Sequence, residues 1–277
     1  MNITALARRT GVPADTLRKW EQRYGVLRPQ RTAGGQRRYT DLDLARVEWL
    51  RARLAEGYRI GEAASLLGGA EIGTAKSPAE LRRTFYDAAR DADVASIRAA
   101  LDQTFALLPL EQALARVITP VLEQVGDGWA SRELSVAQEH LVSSAVRARL
   151  DALLADARGE VRGVAVLSCI PGERHELGLL MLGTLLRADG WQVAYLGADA
   201  PLRDVVALAA RLDASVICLS ATMRANLVKL RSVDVPDGVT LLLGGAAATQ
   251  TAARRLRAHY LEPNLRRAVR ELRRYAG

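Results

Sequence analysis

Apolar residues change their spacing near residue 159, and this change divides the sequence into two kinds of structure. Before it they recur every three or four residues, which predicts helices. After it short apolar runs alternate with helical patterns, which predicts parallel strands joined by helices. The predicted strands are Val161–Cys169, Trp191–Leu196, Ser215–Ser220, Val239–Leu243 and His259–Leu261. The predicted helices are Leu177–Ala188, Leu202–Arg211, Ala225–Arg231, Ala246–Arg257 and Asn264–Arg274.

The alternation predicts a doubly wound, flavodoxin-like (Rossmann-type) parallel sheet over residues 159–277. In the strand order 2-1-3-4-5, the loops after the first, third and fourth strands reach one rim of the sheet. His175 follows the first strand, Ser220 ends the third, and Gly244-Gly245 ends the fourth. Two glycines there permit close approach of a large ligand. The sequence contains neither G-x-G-x-x-G nor the P-loop pattern, which excludes those nucleotide-binding classes.

His175 lies on the loop Pro171–Gly178, with the carboxylate of Glu173 two residues before it. An imidazole exposed just past a strand is well placed to bind a metal ion. The same residues are also compatible with an ordinary polar loop.

Residues 79–158 are predicted to form a helical bundle. A linker is predicted at 73–78, within the weakly patterned, glycine-rich stretch 68–78. Gly126 and Gly128 are predicted to end one helix. The run 135–138, Ser-Val-Ala-Gln, has the capping-box form that begins the next helix.

Trp129 then lies at the break between these two helices, and Glu139 and His140 lie early in the second. By themselves these residues favour a core tryptophan and a surface Glu-His pair.

The N-terminal 1–72 segment has the pattern of a winged helix-turn-helix. A short helix, a turn at 10–13 and a second helix ending near Tyr24 are predicted. One stripe of the second helix is apolar and its neighbour carries hydroxyl and cationic groups. The apolar stripe is Leu17, Trp20 and Tyr24, and the polar one is Thr16, Lys19 and Arg23. The following arginine-rich stretch, 28–39, is predicted to be a β-hairpin with Gly34-Gly35 at its tip.

The net charge of +8 is unevenly spread. Residues 1–60 hold 13 Arg and Lys against 6 Asp and Glu, so the basic end coincides with the predicted helix-turn-helix. This charge favours a nucleic-acid partner at the N-terminal segment. The arginines of residues 251–277 follow a helical pattern and indicate a solvated face.

No apolar run is long enough to span a membrane, and no leader pattern begins the chain, so we expect a cytoplasmic protein. Cys169 and Cys218 fall in predicted strands and lack zinc or disulfide spacing, so we expect inert core thiols.

The residues of the second helix and hairpin together resemble the MerR-type winged helix-turn-helix over 1–72. In that family the second helix enters the major groove and the wing grips the backbone. The resemblance implies binding of double-stranded promoter DNA. The implied contact residues are Thr16, Arg18, Lys19, Arg23, Arg37, Arg38 and Tyr39.

The later motifs resemble the cobalamin-binding domain, whose pattern is Asp-x-His-x-x-Gly, Ser-x-Leu and Gly-Gly. The matching residues are Glu173, His175 and Gly178, then Ser220 and Thr222, then Gly244 and Gly245. The resemblance implies that His175 is the metal ligand, binding cobalt in place of the cofactor's own lower base. It also implies that Glu173 binds the other ring nitrogen and that the cofactor tail enters between the Ser and Gly-Gly loops. Glu173 and Thr222 depart from the usual Asp and Leu, and the longer Glu can alter the histidine hydrogen bond.

Trp129, nine intervening residues and Glu139-His140 are similar to the W-x9-EH signature of the CarH and LitR photoreceptor repressors. The resemblance implies that the bundle caps adenosylcobalamin, with Trp129 against the adenosyl group and Glu139 and His140 holding it. It further implies a homo-oligomer, a tetramer in the dark that blocks a promoter. The resemblance implies as well that light breaks the cobalt–carbon bond, after which the oligomer separates and releases DNA.

One departure concerns the residue after Trp129. The family's histidine at that place can ligate cobalt after illumination, whereas Ala130 cannot. The sequence therefore leaves open a light sensor without a second imidazole, a sensor of cobalamin supply, and a cobalamin-independent repressor with a vestigial pocket. A corrinoid methyl-carrier component of an enzyme is a further alternative. The DNA-binding segment argues against it, so we predict that the protein is not an enzyme.

Overall fold

The computed structural model describes residues 1–27, 29–31, 35–55, 58–69, 76–155 and 162–276. The chain divides into two compact units, residues 1–124 and 125–277. The predicted three-part architecture is confirmed: a winged helix-turn-helix, a helical segment and a parallel sheet follow one another. Parts of the predicted linker and boundary segments, residues 73–75 and 156–161, lie outside the described residues.

The N-terminal part of the first unit contains helices α1 to α4 and a small hairpin. The helices are α1 (Ile3–Thr10), α2 (Ala14–Tyr24), α3 (Asp41–Ala55) and α4 (Ile60–Gly69). Strands β1 (Gln30–Arg31) and β2 (Arg37–Arg38) pair antiparallel, which confirms the predicted strand pairing. Gly34 of the predicted tip lies outside the described residues. Leu17 and Trp20 are buried in a core shared with α1, α3 and α4, as the apolar stripe of α2 predicts.

The helical segment begins at a capping box in which Ser77 and Glu80 bond each other's backbone. Its elements are α5 (Pro78–Arg90), α6 (Val94–Leu107), α7 (Leu110–Ala113), a π-helix (Leu114–Ile118), α8 (Thr119–Ala130) and α9 (Val136–Ala155). The prediction that Gly126 and Gly128 end a helix is wrong, because α8 continues through both to Ala130. The chain turns instead at Arg132, which has a φ of +65°. Ser135 and Gln138 form the predicted capping box at the start of α9.

The second unit contains a five-stranded parallel sheet in the predicted order 2-1-3-4-5. Its strands are β3 (Val164–Cys169), β4 (Gln192–Gly197), β5 (Val216–Ser220), β6 (Thr240–Gly244) and β7 (His259–Tyr260). Its helices are α10 (Leu177–Ala188), α11 (Leu202–Arg211), α12 (Arg224–Leu227), α13 (Gln250–Arg255) and α14 (Leu265–Leu272), followed by a 3-10 turn at Arg273–Tyr275. The predicted start of the first strand, Val161, lies outside the described residues.

Apolar layers cover both faces of the sheet, as expected for parallel strands. Side chains of α10 and α14 form one layer with the strands, and α11 and α13 contribute to the other. Helices α12 and α13 are shorter than predicted. Cys169 and Cys218 are buried free thiols, and burial raises the pKa of each to about 12, so the prediction of core thiols is confirmed.

Candidate functional site

The loop between β3 and α10 presents a histidine whose ring is fixed by a buried carboxylate. Glu173 is fully buried, and its Oε1 lies 2.6 Å from Nδ1 of His175. The same oxygen accepts a 3.0 Å hydrogen bond from the backbone N–H of His175. Because a carboxylate can only accept, Nδ1 carries the proton, and in the neutral ring the lone pair that can bind a metal ion is then on Nε2. The His175 side chain is 61% exposed, so the ring is accessible to a ligand.

The second oxygen of Glu173 fastens this loop to the loop after β5. Its Oε2 accepts hydrogen bonds from the backbone N–H groups of Thr222 (2.9 Å) and Met223 (2.6 Å). Burial by itself raises the pKa of Glu173, but the hydrogen bonds from His175, Met223 and Thr222 outweigh it and lower the pKa to about 2. The carboxylate is therefore ionised at neutral pH and stabilises a proton on Nδ1 of His175.

Two further side chains brace the turn at Gly172, which has a φ of +78°. The Gly172 N–H donates to Oδ1 of Asp199 (2.6 Å), and Nδ2 of Asn226 donates to the Gly172 carbonyl (2.8 Å). The histidine loop is thus held by residues of the segments that follow both neighbouring strands, β4 and β5.

The Ser220 and Gly-Gly loops end neighbouring strands, as predicted. Ser220 is paired in register with Gly244. Gly245 has a φ of +98°, and a Cβ there would lie 2.4 Å from the carbonyl oxygen of Ala221. The close approach of backbone to backbone is one physical reason for glycine at 245. At Gly178, by contrast, a Cβ would meet no atom within 4 Å, so the space beside this exposed residue of α10 is open.

The end of α8 and the start of α9 present an aromatic and a polar pair to solvent. Trp129 is 51% exposed in the last turn of α8, so the alternative of a core tryptophan is wrong. Glu139 Oε2 lies 3.3 Å from Nδ1 of His140, and Ser143 Oγ bonds the other Glu139 oxygen. The His140 side chain is 69% exposed. An exposed indole can stack on a nucleoside-like group, and exposed polar side chains can bind one by hydrogen bonds.

Helix α2 and the hairpin expose the cationic residues predicted to contact DNA. Arg18, Lys19, Arg23, Arg37 and Arg38 are exposed, and Thr16 is partly so. Tyr39 differs, because its side chain is 2% exposed in the core and its hydroxyl donates to Glu21. In place of the predicted DNA contact, the structure therefore gives Tyr39 a structural role: it supports the hairpin of β1 and β2, which is the wing.

Sequence reasoning missed several residues that position these groups. Their hydrogen bonds and ion pairs hold the hairpin, the histidine loop or helix α9 in place. These residues are Glu21, Arg147, Glu176, Tyr195, Asp199 and Asn226. The position of Glu176, directly after the histidine, is the one signal that could have drawn notice. The other partners are far away in sequence and match no motif.

The sequence matches known families over most of its length. Residues 1–69 match the profile described as MerR HTH family regulatory protein, and residues 81–154 and 163–262 match two profiles described as B12 binding domain. In the part of the chain that the structure describes, no helix is long and apolar enough to cross a membrane.

Individual proteins show the same similarity. The chain is 38% identical to the HTH-type transcriptional repressor CarH of Myxococcus xanthus, over 94% of each chain. It is 32% identical to the HTH-type transcriptional repressor CarA of the same organism, over 79% of this chain and 76% of the relative. The solved structure of the Methanosarcina barkeri monomethylamine corrinoid protein shares the fold, with a TM-score of 0.59 at 20% identity over 72% of this chain and 99% of that one.

Proposed function

Since the chain belongs to the CarH family of HTH-type transcriptional repressors, we propose that it represses transcription from promoter DNA under the control of adenosylcobalamin. It is a cobalamin-responsive, DNA-binding regulator rather than an enzyme, with a MerR helix-turn-helix and B12-binding domains. We assign residues 1–72 to DNA binding, 79–158 to a helical cap and 159–277 to the cobalamin-binding α/β domain, with 73–78 as the linker.

The observation that carries the proposal is the Glu173–His175 pair. A lower ligand of cobalt needs an accessible imidazole nitrogen with a free lone pair and a fixed ring orientation. His175 meets these requirements because Glu173 holds Nδ1 at 2.6 Å and the side chain is 61% exposed. The residues present therefore fit cobalamin, with His175 as its one histidine ligand from the α/β domain.

The other predicted residues would hold the remaining parts of the cofactor. We assign Ser220, Thr222, Gly244 and Gly245 to the tail, and Gly178 to the open surface beside the histidine loop. We assign Trp129, Glu139 and His140 to the adenosyl side, where an exposed indole and two polar groups suit a purine and its ribose. When bound, adenosylcobalamin supplies a cobalt–carbon bond that light can break.

Control of DNA binding follows from linkage between the cofactor and assembly. A ligand that binds the assembled chain more tightly than the separated one favours assembly. We propose a homo-oligomer, a tetramer in the dark, whose several helix-turn-helix segments engage adjacent half-sites together. Loss of the adenosyl contacts at Trp129 would then favour separation and release of DNA.

The DNA contacts follow from the exposed face of α2 and the wing. Thr16, Lys19 and Arg23 lie on the face of α2 turned away from the core, which suits entry into the major groove. Arg38 is an exposed cation suited to a phosphate contact. Arg18 and Arg37 are also exposed, and we assign their remaining guanidinium N–H groups to phosphates, because one nitrogen of each is paired with Asp15 or Glu21. Tyr39 supports the wing from beneath.

The test is an absorption spectrum of the purified chain mixed with adenosylcobalamin, in the dark and after green light, with excess cofactor removed. Retained cofactor with a light-driven change supports a photosensor. Retained cofactor without a change indicates a sensor of cobalamin supply instead. Absence of retained cofactor in the wild type contradicts cobalamin control. His175→Ala is the control variant and should lose the cofactor.

The same spectra test the consequence of Ala130. Its exposed methyl group cannot bind a metal ion, so we expect no second imidazole contribution in the illuminated protein. If the illuminated wild type does show a second imidazole contribution and His140→Ala does not, then His140 is the second ligand.

A further inference from the structure

A nearly enclosed carboxylate joins the histidine loop to helix α9. Glu176 directly follows His175, and its side chain is 13% exposed. Its Oε1 is ion-paired with Nη1 of Arg147 in α9. Its Oε2 accepts a 3.0 Å hydrogen bond from the hydroxyl of Tyr195 in β4. A Cβ on Gly197 would lie 2.6 Å from this oxygen, so the glycine makes room for the carboxylate.

Helix α9 carries residues of the candidate site on the same face as Arg147. Glu139 and His140 lie in its first turns. Arg147 follows His140 by seven residues, which is close to two turns, so these side chains project from one side of the helix. The helix packs against α10, which begins directly after Glu176.

From these contacts we propose that Arg147, Glu176 and Tyr195 form a bridge that fixes the Glu139–His140 face of α9 relative to the His175 loop. Arg147 is then a positioning residue for the cobalamin site. The inference rests on the proposed function insofar as that site binds adenosylcobalamin.

The bridge differs from an ordinary surface ion pair in the burial of its acidic member. Arg147 is half-exposed and also lies 3.6 Å from Asp151, whose side chain is 47% exposed. Asp151 is solvated with or without Arg147, whereas Glu176 has little access to water. Removal of Arg147 therefore leaves a poorly solvated carboxylate with the neutral Tyr195 hydroxyl as its remaining described side-chain donor. Separation of α9 from α10 carries the same consequence, so the bridge opposes it.

The first experiment compares two cofactor forms in Arg147→Met and Glu176→Gln. The probes are adenosylcobalamin, which has an upper adenosyl group, and hydroxocobalamin, which lacks one. Loss of the bridge should displace Glu139 and His140 and weaken adenosylcobalamin binding about tenfold, a typical size for coupled neighbours. Hydroxocobalamin affinity should change less than about threefold, because the His175–Glu173 pair is untouched.

The matched control is Asp151→Asn, which removes the exposed partner of Arg147 and spares Glu176. It should leave both affinities unchanged. Arg147→Lys keeps the positive charge and should recover part of the adenosylcobalamin affinity. The double variant should bind no worse than Arg147→Met, because both substitutions break one contact. Equal loss of both cobalamins, additive losses in the double variant, or an equal effect of Asp151→Asn would each overturn the proposal.

The second experiment uses the chain without cofactor. Amide hydrogen exchange in α9 should be faster in Arg147→Met and Glu176→Gln than in the wild type and Asp151→Asn. Unchanged exchange would overturn the bridge. A wild-type chain that bound neither cobalamin would contradict the proposed function, while the exchange data would still decide whether the bridge holds α9.

Discussion

Glu21 of α2 accepts a 2.7 Å hydrogen bond from the hydroxyl of Tyr39, which follows the wing strand β2. Its other carboxylate oxygen accepts from Nε of Arg37 at 2.9 Å. Burial and the bond to Glu21 both raise the pKa of Tyr39, so its hydroxyl remains protonated as the donor. One carboxylate thus fixes the wing against the helix proposed to enter the major groove.

The sign of the Glu21→Ala effect on DNA affinity tests this arrangement. Removal of a negative charge near DNA should by electrostatics alone strengthen binding. Loss of two hydrogen bonds should free the wing and weaken binding, and we expect this effect to prevail by roughly fivefold. The measurement is fluorescence anisotropy on a duplex selected from a random pool by the wild-type chain.

The control for Glu21 is Glu48→Ala, which removes the same charge at an exposed position of α3. It should leave affinity unchanged or slightly higher. Tighter DNA binding by Glu21→Ala would show that the carboxylate does not position the wing.

Arg38 should contribute a sequence-independent phosphate contact. It is exposed on β2, and Arg37 beside it is engaged with Glu21. Arg38→Ala should lower affinity similarly for different duplexes and reduce the slope of log K against log salt by about one. Arg98→Ala, at an exposed position of α6, is the control. An unchanged salt slope in Arg38→Ala would remove Arg38 from the contact set.

Gly178 and Gly245 should separate ligand approach from backbone packing. Gly178→Ala adds a methyl group to open space within α10, so we expect unchanged or slightly higher thermal stability. Cobalamin affinity should fall, because the methyl group occupies surface assigned to the cofactor.

Gly245→Ala should lose about 1–3 kcal/mol of stability, because its methyl group meets the Ala221 backbone and its φ is +98°. Thermal unfolding of the chain without cofactor and cobalamin titration check the two variants, and unchanged cobalamin affinity in Gly178→Ala would contradict its assignment.

Glu173→Gln should destabilise the chain even without cofactor. Its amide group must face N–H donors that the carboxylate now satisfies, at a cost of about 1–3 kcal/mol. Glu173→Asp keeps the charge but is one methylene shorter, so it should retain the His175 contact and lose reach to Thr222 and Met223. Urea unfolding measures both effects, and a Glu173→Gln variant as stable as the wild type would contradict the account.

The sheet could be predicted from sequence because its signal is local. Apolar runs of strand length alternate with helical patterns, and chain topology then brings His175, Ser220 and Gly244 to one rim. The end of α8 could not be predicted in this way. Gly126 and Gly128 favour a helix end by their low helix propensity, but α8 continues through both. The Arg147–Glu176–Tyr195 bridge could not be predicted from the sequence either, because its residues come from three separate parts of the chain and follow no spacing rule. The burial of Tyr39 could not be predicted either, because the resemblance marks its position as a DNA contact and its burial depends on packing between distant parts of the sequence.

The carboxylate of Glu173 joins two loops that are 49 residues apart in the chain, because it accepts hydrogen bonds from backbone N–H groups of both. The imidazole of His175 is consequently preorganised. Binding at this position need not order a mobile segment, so little conformational entropy is lost at this loop and more of the contact energy appears as affinity. Under the proposed function, the cofactor concentration at which the chain responds is therefore set partly by the hydrogen bond between Glu173 and His175.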